Sequence, residues 1–190
     1  MMKRMMRLAV VVVGLLAIVG LLSYLPAEGQ SNGQSEVQQG FAISPVSLHL
    51  QGTNHALVDL GSYIVNGQGG CNDCHTCPSY TPGHNPFPPP VGVSGDGQIN
   101  SANYLAGGVN FGVAISPNLT PDANGKPEGL TLNQFISVFR TGHDPIANDT
   151  LTIMPWPIYR NMTDRDLEAI YTYLSAIPQA SPGTCTGAGE

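Results

Sequence analysis

The chain has 190 residues; only 11% of them are charged, and glycine (23) and proline (16) are abundant. This length suits one domain with additional segments. Residues 28–190 carry four basic against thirteen acidic side chains, a formal net charge of −9. So acidic a chain argues against nucleic acid as a partner. It favours solubility or attraction to a basic partner protein.

The N-terminus has the pattern of a targeting segment. Lys3, Arg4 and Arg7 precede an apolar stretch over 8–25. This pattern predicts either a signal peptide over 1–27 that is cleaved or a membrane anchor over 8–25, which is just long enough to span a bilayer. In an uncleaved anchor the basic residues stay on the cytoplasmic side, and in both cases the functional part is exported. The rest of the chain is then expected to be periplasmic or otherwise extracytoplasmic.

Residues 28–53 are interpreted as a flexible tether followed by an extended arm. The first part, 28–40, is polar and low in complexity, which is typical of a linker. Residues 41–50 alternate weakly between apolar and polar side chains, as in a short strand. His49 lies in this arm and has no evident partner in the sequence.

The first helix is predicted over 54–65, at the start of a main domain that spans 54–180. Asn54 is a candidate N-cap, and apolar side chains recur on one face at helical spacing. Gly61 lies on that face, and we expect it to permit the close approach of another helix.

The most specific motif is Cys71-Asn-Asp-Cys74-His75. Cys-x-x-Cys-His is the attachment site of a c-type haem. The two thiols add to the haem vinyl groups as thioethers, and the adjacent His75 supplies the proximal iron ligand. The motif therefore predicts one covalently bound haem c.

Two alternatives remain open for these residues. A zinc site needs two further ligands, and Cys77, His84 and Cys185 do not form a second paired cluster. A thioredoxin-like dithiol lies where a strand runs into a helix, whereas the flanks here are rich in glycine and proline.

Residues 77–112 contain Pro, Gly, Asn and Ser throughout, which predicts a long loop around a cofactor. His84 is interpreted as a solvated loop residue, and His55 and His143 as surface residues. The two remaining cysteines, Cys77 and Cys185, form a disulfide in one interpretation and are free thiols in the other. Cys185 belongs to a C-terminal tail over 181–190.

Two further helices have clear start signals. Thr131 and Gln134 form a capping box before a helix that ends near Arg140 at Gly142. Thr163 is the N-cap of the last helix, which Pro178 ends. Each helix has an apolar face at helical spacing.

A second axial ligand for the iron is expected from methionine, because thioether sulfur favours ferrous iron. Met154 is favoured since prolines stiffen its loop, whereas Met162 is interpreted as a packing residue. Trp156 and Tyr159 are expected to line the haem pocket, with a purely structural aromatic as the alternative for each. Arg140 or Arg160 is a candidate partner of a propionate, with a solvated arginine as the alternative.

Five segments in this order resemble class I cytochromes c, over roughly 54–180. They are Gly-Gly-Cys-Asn-Asp-Cys-His-Thr at 69–76, Ile-Ser-Pro-Asn-Leu-Thr-Pro-Asp at 115–122, Phe-Arg-Thr-Gly-His-Asp at 139–144, Met-Pro-Trp-Pro at 154–157, and Met162-Thr-Asp with Ala-Ile-Tyr-Thr-Tyr-Leu at 169–174. The nearest relatives expected are exported bacterial cytochromes, including cytochrome subunits of membrane-bound dehydrogenases.

The resemblance implies a mainly α fold of short helices and long loops wrapped around one haem. It also implies that His75 and Met154 are the axial ligands and that the first helix crosses the last near Gly61 and Tyr173. The expected function is one-electron transfer between partner proteins, possible partners including a dehydrogenase or oxidase complex, rather than catalysis by this chain alone. The alternative is a haem protein with an open sixth site, peroxidase-like or gas-binding, in which His143 near Asp144 would matter.

Overall fold

The computed structural model describes residues 38–187, and within them helices and long loops dominate. The predicted targeting segment, with its possible anchor over 8–25, lies outside the described residues. Residues 38–43 are helical. The helices that follow are α1 (His55–Tyr63), α2 (Cys71–His75), α3 (Leu132–Thr141), α4 (Trp156–Tyr159) and α5 (Asp164–Ala176), and a π-helical turn, Ile64–Gln68, continues α1.

In the part of the chain that the structure describes, the strands are two residues long and form two separate pairs. β1 (Val109–Asn110) pairs in parallel with β4 (Cys185–Thr186), with Val109 opposite Cys185. β2 (His143–Asp144) pairs antiparallel with β3 (Asp149–Thr150). Among residues 38–187, no helix is long and apolar enough to cross a membrane.

The predicted helix starts are confirmed. The Asn54 side chain accepts hydrogen bonds from the N–H groups of Ala56 and Leu57. Thr131 and Gln134 make both bonds of a capping box, and so do Thr163 and Asp166. These local bonds satisfy N–H groups that a helix start would otherwise leave without a partner.

The helix ends differ slightly from the predicted ones. α1 ends at Tyr63 rather than Val65, because the next five residues widen into a π-helical turn. The N–H of Gly69 donates to the carbonyl of Ile64 across 2.6 Å, which closes that turn. Gly70 follows with a φ of +59°, a left-handed conformation that suits glycine, and α2 begins at the next residue.

α1 crosses α5 at Gly61, as predicted. A Cβ built on Gly61 would lie 2.0 Å from the carbonyl oxygen of Ala169 and 2.7 Å from the Tyr173 Cβ. The two backbones therefore touch where a side chain would separate them. Val58, Leu167 and Leu174 are almost wholly buried around this crossing.

Residues 38–53 of the predicted tether and arm lie within the described part of the chain, and a short helix is the one departure from the prediction there. Residues 38–43 are helical, and the N–H of Phe41 donates to the Asp59 carboxylate at 2.5 Å. The following residues lie against the core, where Val46, Leu48 and Leu50 pack. The weak alternation over 41–50 corresponds to these three side chains, every second residue, which face the core.

The Cys77 and Cys185 sulfurs form a disulfide, with their Cα atoms 5.8 Å apart. The bond joins the start of the long loop after α2 to β4. Of the two interpretations of these cysteines, the disulfide is the one that the structure has, and it attaches the C-terminal tail over its described part, 181–187.

We predict that Gly61→Ala lowers the free energy of unfolding by about 2–3 kcal/mol, because the added methyl group must push α1 away from α5. Urea unfolding followed by circular dichroism measures this change. Gly67→Ala is the matched control: a Cβ there meets only side-chain atoms, at 3.6 Å. An equal loss of stability in both variants would contradict the close crossing.

Candidate haem-binding site

A cavity of about 580 Å³ lies inside the described part of the chain. Its volume falls within the range of roughly 300–1,000 Å³ that is typical of sites for small molecules and cofactors. The π-helical turn, α2, α3, α5 and the loops over 111–119 and 144–155 all contribute to its walls. The apolar wall residues include Ile64, Val65, Leu119, Phe135, Val138, Phe139, Ile170 and Leu174.

Cys71, Cys74 and His75 all line this cavity from α2. Burial raises the pKa of the Cys71 thiol to about 12. Burial and then the charge of Asp73 raise the pKa of Cys74 as well. Within residues 38–187, no group of three or more His, Cys, Asp or Glu side chains is arranged to hold a metal ion.

The His75 imidazole has a defined hydrogen bond. Its Nδ1 lies 3.1 Å from the carbonyl oxygen of Pro117, and a carbonyl oxygen only accepts, so Nδ1 carries the hydrogen. Burial lowers the pKa of His75 and favours the neutral ring, an effect that the Pro117 bond partly opposes. The Nε2 atom is then the basic nitrogen that is available to bind a metal.

Both candidate methionines line the cavity. Met154 lies on the loop after β3 and Met162 lies just before the N-cap of α5. The sequence assigned only Met154 to the iron and interpreted Met162 as packing. Met162 also borders a second, smaller cavity beside Leu60 and Tyr63, so it lies between the two spaces.

The two aromatic residues expected at the pocket are placed differently. Tyr159 lines the cavity and donates its hydroxyl hydrogen to the carbonyl of Gly69 at 2.8 Å. Trp156 is not among the lining residues, which corrects that expectation. Its indole lies over Gly142 at the end of α3, where a Cβ would come within 2.3 Å of the ring. The glycine leaves the space that the ring fills.

Neither candidate arginine lines the cavity. Arg140 instead binds the turn before α5: its Nη1 donates to the carbonyls of Arg160 and Met162, the latter at 2.7 Å. Its Nη2 donates to Asp164 at 2.6 Å. The guanidinium therefore fixes the start of α5. The position of Arg140 does not support the expectation that it pairs with a haem propionate.

The other histidines lie away from the cavity. His84 Nδ1 is 2.7 Å from the Asp96 carboxylate on the long loop. His55 Nε2 is 3.2 Å from the carbonyl oxygen of Leu50. His49 and His143 are exposed. Asp144, the neighbour of His143, does line the cavity.

Sequence reasoning missed a carboxylate pair in the cavity wall, Glu128 and Asp144. Glu128 has a φ of +53°, an uncommon conformation for a residue with a side chain. Burial, with a further contribution from Asp144, raises the pKa of Glu128 to about 8. Neither Lys nor Arg is among the residues that line the cavity in the described part of the chain. No sequence signal marked Glu128.

Comparisons with known proteins identify two distant relatives. The chain is 27% identical over 151 residues to the cytochrome c subunit of a quinone alcohol dehydrogenase from Gluconobacter oxydans, an alignment covering 73% of this chain and 27% of the relative. It is 25% identical over 114 residues to a dihaem c-type cytochrome from Cereibacter sphaeroides, covering 58% and 33%. No protein-family model matches. Both relatives are c-type cytochromes, which supports a relationship of this chain to that family.

The chain spans about a quarter to a third of the length of these curated relatives. What the relatives do as whole proteins therefore bears on this chain only as a basis for proposals.

We predict that Glu128→Gln reduces the pH dependence of stability between about pH 4.5 and pH 8. The folded chain binds the Glu128 proton in this window while the unfolded chain releases it, so unfolding becomes easier as the pH rises. The amide of the variant does not titrate, so its free energy of unfolding has no such loss. We therefore expect the difference in unfolding free energy, variant minus parent chain, to be about 1–2 kcal/mol larger at pH 8 than at pH 5. Urea unfolding at both pH values checks this, and the exposed Glu168→Gln is the charge-matched control. A parallel pH dependence in all three chains would contradict the prediction.

Proposed function

We propose that the chain is an exported c-type cytochrome with the class I fold, which binds one haem c covalently and transfers single electrons between partner proteins. One observation carries this proposal: the three residues of the Cys-x-x-Cys-His motif and two methionines line the same apolar cavity of about 580 Å³. The volume, the apolar walls and the thiol, imidazole and thioether groups fit a haem.

In this proposal the two cysteines and the histidine of the motif have different roles. Cys71 and Cys74 hold the haem through thioethers, and His75 is the proximal axial ligand through Nε2. The Pro117 carbonyl accepts the hydrogen of His75 Nδ1, which fixes the ring and makes it a stronger donor. When bound, the haem supplies an iron that cycles between the ferric and ferrous states.

The surrounding side chains keep this site apolar and shaped. Phe135, Val138 and Phe139 cover it from α3, and Ile170 and Leu174 cover it from α5. The hydroxyl of Tyr159, at the end of α4, donates a hydrogen bond to the carbonyl of Gly69, and this bond connects α4 to the backbone two residues before Cys71. Excluding water in this way favours the ferrous state, since burial disfavours the more highly charged iron.

Met154 is the proposed distal ligand, and its surroundings favour it over Met162. The residues from Asp149 to Pro155 line the cavity as one continuous stretch, so the Met154 side chain lies within an established wall. Met162 is shared with the smaller cavity beside α1. Pro155 and Pro157 restrict the backbone on the C-terminal side of Met154.

We further propose that the chain works outside the cytoplasm, anchored or released at its N-terminus, with a membrane-bound dehydrogenase or oxidase complex as its redox partner. The targeting pattern over 1–27 supports export. The similarity to a cytochrome c subunit of a quinone alcohol dehydrogenase supports a dehydrogenase as the partner. The net charge of −9 on residues 28–190 favours a partner with a basic docking face.

A haem protein with an open sixth site is the second candidate. The observation that favours it is the pair of carboxylates, Glu128 and Asp144, in the cavity wall, since an acid–base group near the iron would be needed for peroxide chemistry. The exposed position of His143 removes the other group that the sequence offered for that role.

We predict that Met154→Ala converts a low-spin visible spectrum into a high-spin one. The chain is produced with the haem-maturation machinery and its oxidised and reduced spectra are recorded. The parent chain is expected to show the sulfur-to-iron charge-transfer band, which the variant loses, and the midpoint potential of the variant is expected to fall. Met162→Ala is the matched control and should keep the band.

The same preparation tests haem attachment. The parent chain should keep its colour under denaturing conditions, whereas Cys71→Ser/Cys74→Ser should lose it. A colourless parent chain would overturn the proposed function. A coloured chain with a high-spin spectrum that neither methionine variant changes would select the open-site alternative.

A further inference from the structure

We infer that the C-terminal residues 180–187, here called the C-terminal clasp, position the loop that holds the proximal histidine. This loop, the proximal loop, spans residues 103–120 and carries the Pro117 carbonyl that accepts the His75 hydrogen bond. The inference rests on the proposed role of His75 as an iron ligand and adds residues that tune it. Within the clasp, Cys185 is joined to Cys77 by the disulfide, and Ala180, Ser181 and Gly187 make hydrogen bonds to the proximal loop.

One end of the clasp is paired with the middle of the proximal loop. β4 lies parallel to β1, with Val109 opposite Cys185, and the N–H of Gly187 donates to the carbonyl of Asn110 at 3.0 Å. The disulfide from Cys185 to Cys77 fixes the same end to the chain two residues after His75. The strand pair and the covalent bond therefore connect the proximal loop to the haem motif.

The other end of the clasp is bonded to both flanks of the loop. Asn118 Nδ2 donates to the carbonyl of Ala180 at 2.9 Å, and the N–H of Ala180 donates to Thr120 Oγ1 at 3.3 Å. Asn103 Nδ2 donates to the carbonyl of Ser181 at 2.8 Å. Pro117 immediately precedes Asn118, so the acceptor of the His75 bond is one residue from a clasp contact.

Between these ends the backbones touch directly. A Cβ on Gly183 would lie 1.7 Å from the carbonyl oxygen of Cys77. A Cβ on Gly108 would lie 2.1 Å from the carbonyl oxygen of Gly183, and Gly108 has a φ of +96°. The clasp thus runs between the haem motif and the proximal loop, at a spacing that only glycine allows.

The loop in turn bonds to the residues at the end of α2. The N–H of Gly107 donates to the carbonyl of His75 at 2.7 Å, and the N–H of Leu105 donates to Thr76 Oγ1 at 2.9 Å. A shift of the loop would therefore move both the backbone of His75 and the acceptor of its ring. A weaker Nδ1 bond makes the imidazole a poorer donor to the iron, which stabilises ferric iron less and raises the midpoint potential.

The experiment compares two clasp variants in the haem-loaded chain. Cys77→Ser/Cys185→Ser removes the disulfide. Asn118→Asp is the second variant, for use if the first does not fold. It keeps the disulfide and the side-chain oxygen that accepts the Thr120 N–H, and it removes the side-chain N–H that donates to the carbonyl of Ala180. Leu167→Ala, buried in the core but not part of the cavity wall, is the control for a general loss of stability.

Two measurements report on the inference: the midpoint potential and amide hydrogen exchange over 103–120. In at least one clasp variant that folds, we expect the potential to rise and the amides of Gly107, Gly108 and Leu119 to exchange at least tenfold faster. We expect Leu167→Ala to leave the potential unchanged. An unchanged potential in both clasp variants, or faster exchange confined to 180–187, would overturn the inference.

These outcomes are separable from failure of the proposed function. A parent chain that binds no haem overturns the haem assignment by itself. Amide exchange is then compared between the haem-free parent chain and the haem-free clasp variants. If the exchange rates over 103–120 are the same in both, the inference that the clasp positions the loop is overturned.

Discussion

The contact on which most of the architecture depends is the crossing of α1 and α5 at Gly61. Because the two backbones touch there, their distance and angle are set without an intervening side chain. The π-helical turn after α1 then brings Ile64 and Val65 to the cavity, and α5 brings Ile170 and Leu174 to it. One backbone contact therefore fixes two walls of the site and the point at which the Cys-x-x-Cys-His motif begins.

A buried polar cluster strengthens the same crossing. The hydroxyl groups of Tyr104 and Tyr173 lie 3.0 Å apart, and Asn66 bonds to both. Burial raises the pKa of Tyr104 well above its usual range, so its hydroxyl acts as a neutral hydrogen-bonding partner. Since buried polar groups are costly unless paired, the cluster specifies one arrangement of α1, α5 and the proximal loop rather than merely filling space.

The sequence predicted those features whose signals are local. Asn54, Thr131 and Thr163 cap helices through bonds to residues two or three positions away, and Gly61 stands out because glycine is costly within a helix unless packing requires it. Glu128 could not be predicted in this way, and of the C-terminal clasp the sequence indicated only the Cys77–Cys185 disulfide, as one of two interpretations. Their partners are many residues away in the chain, and backbone contacts such as that between Gly183 and Cys77 leave no pattern in residue type.

The two sides of the cavity are secured to different degrees. The His75 side is held by a disulfide, a strand pair and the hydrogen bonds of the proximal loop. The segment with Met154 also follows a strand pair, β2 with β3, but no disulfide joins it within the described part of the chain. Its other links are the bond from the N–H of Leu151 to the carbonyl of Gly142 at 2.8 Å and the contact of the Trp156 indole with Gly142. Regions with fewer fixed contacts open at a lower free energy than the rest of a fold. The segment that carries Met154 is therefore expected to open at a lower free energy than the loop that bonds to His75.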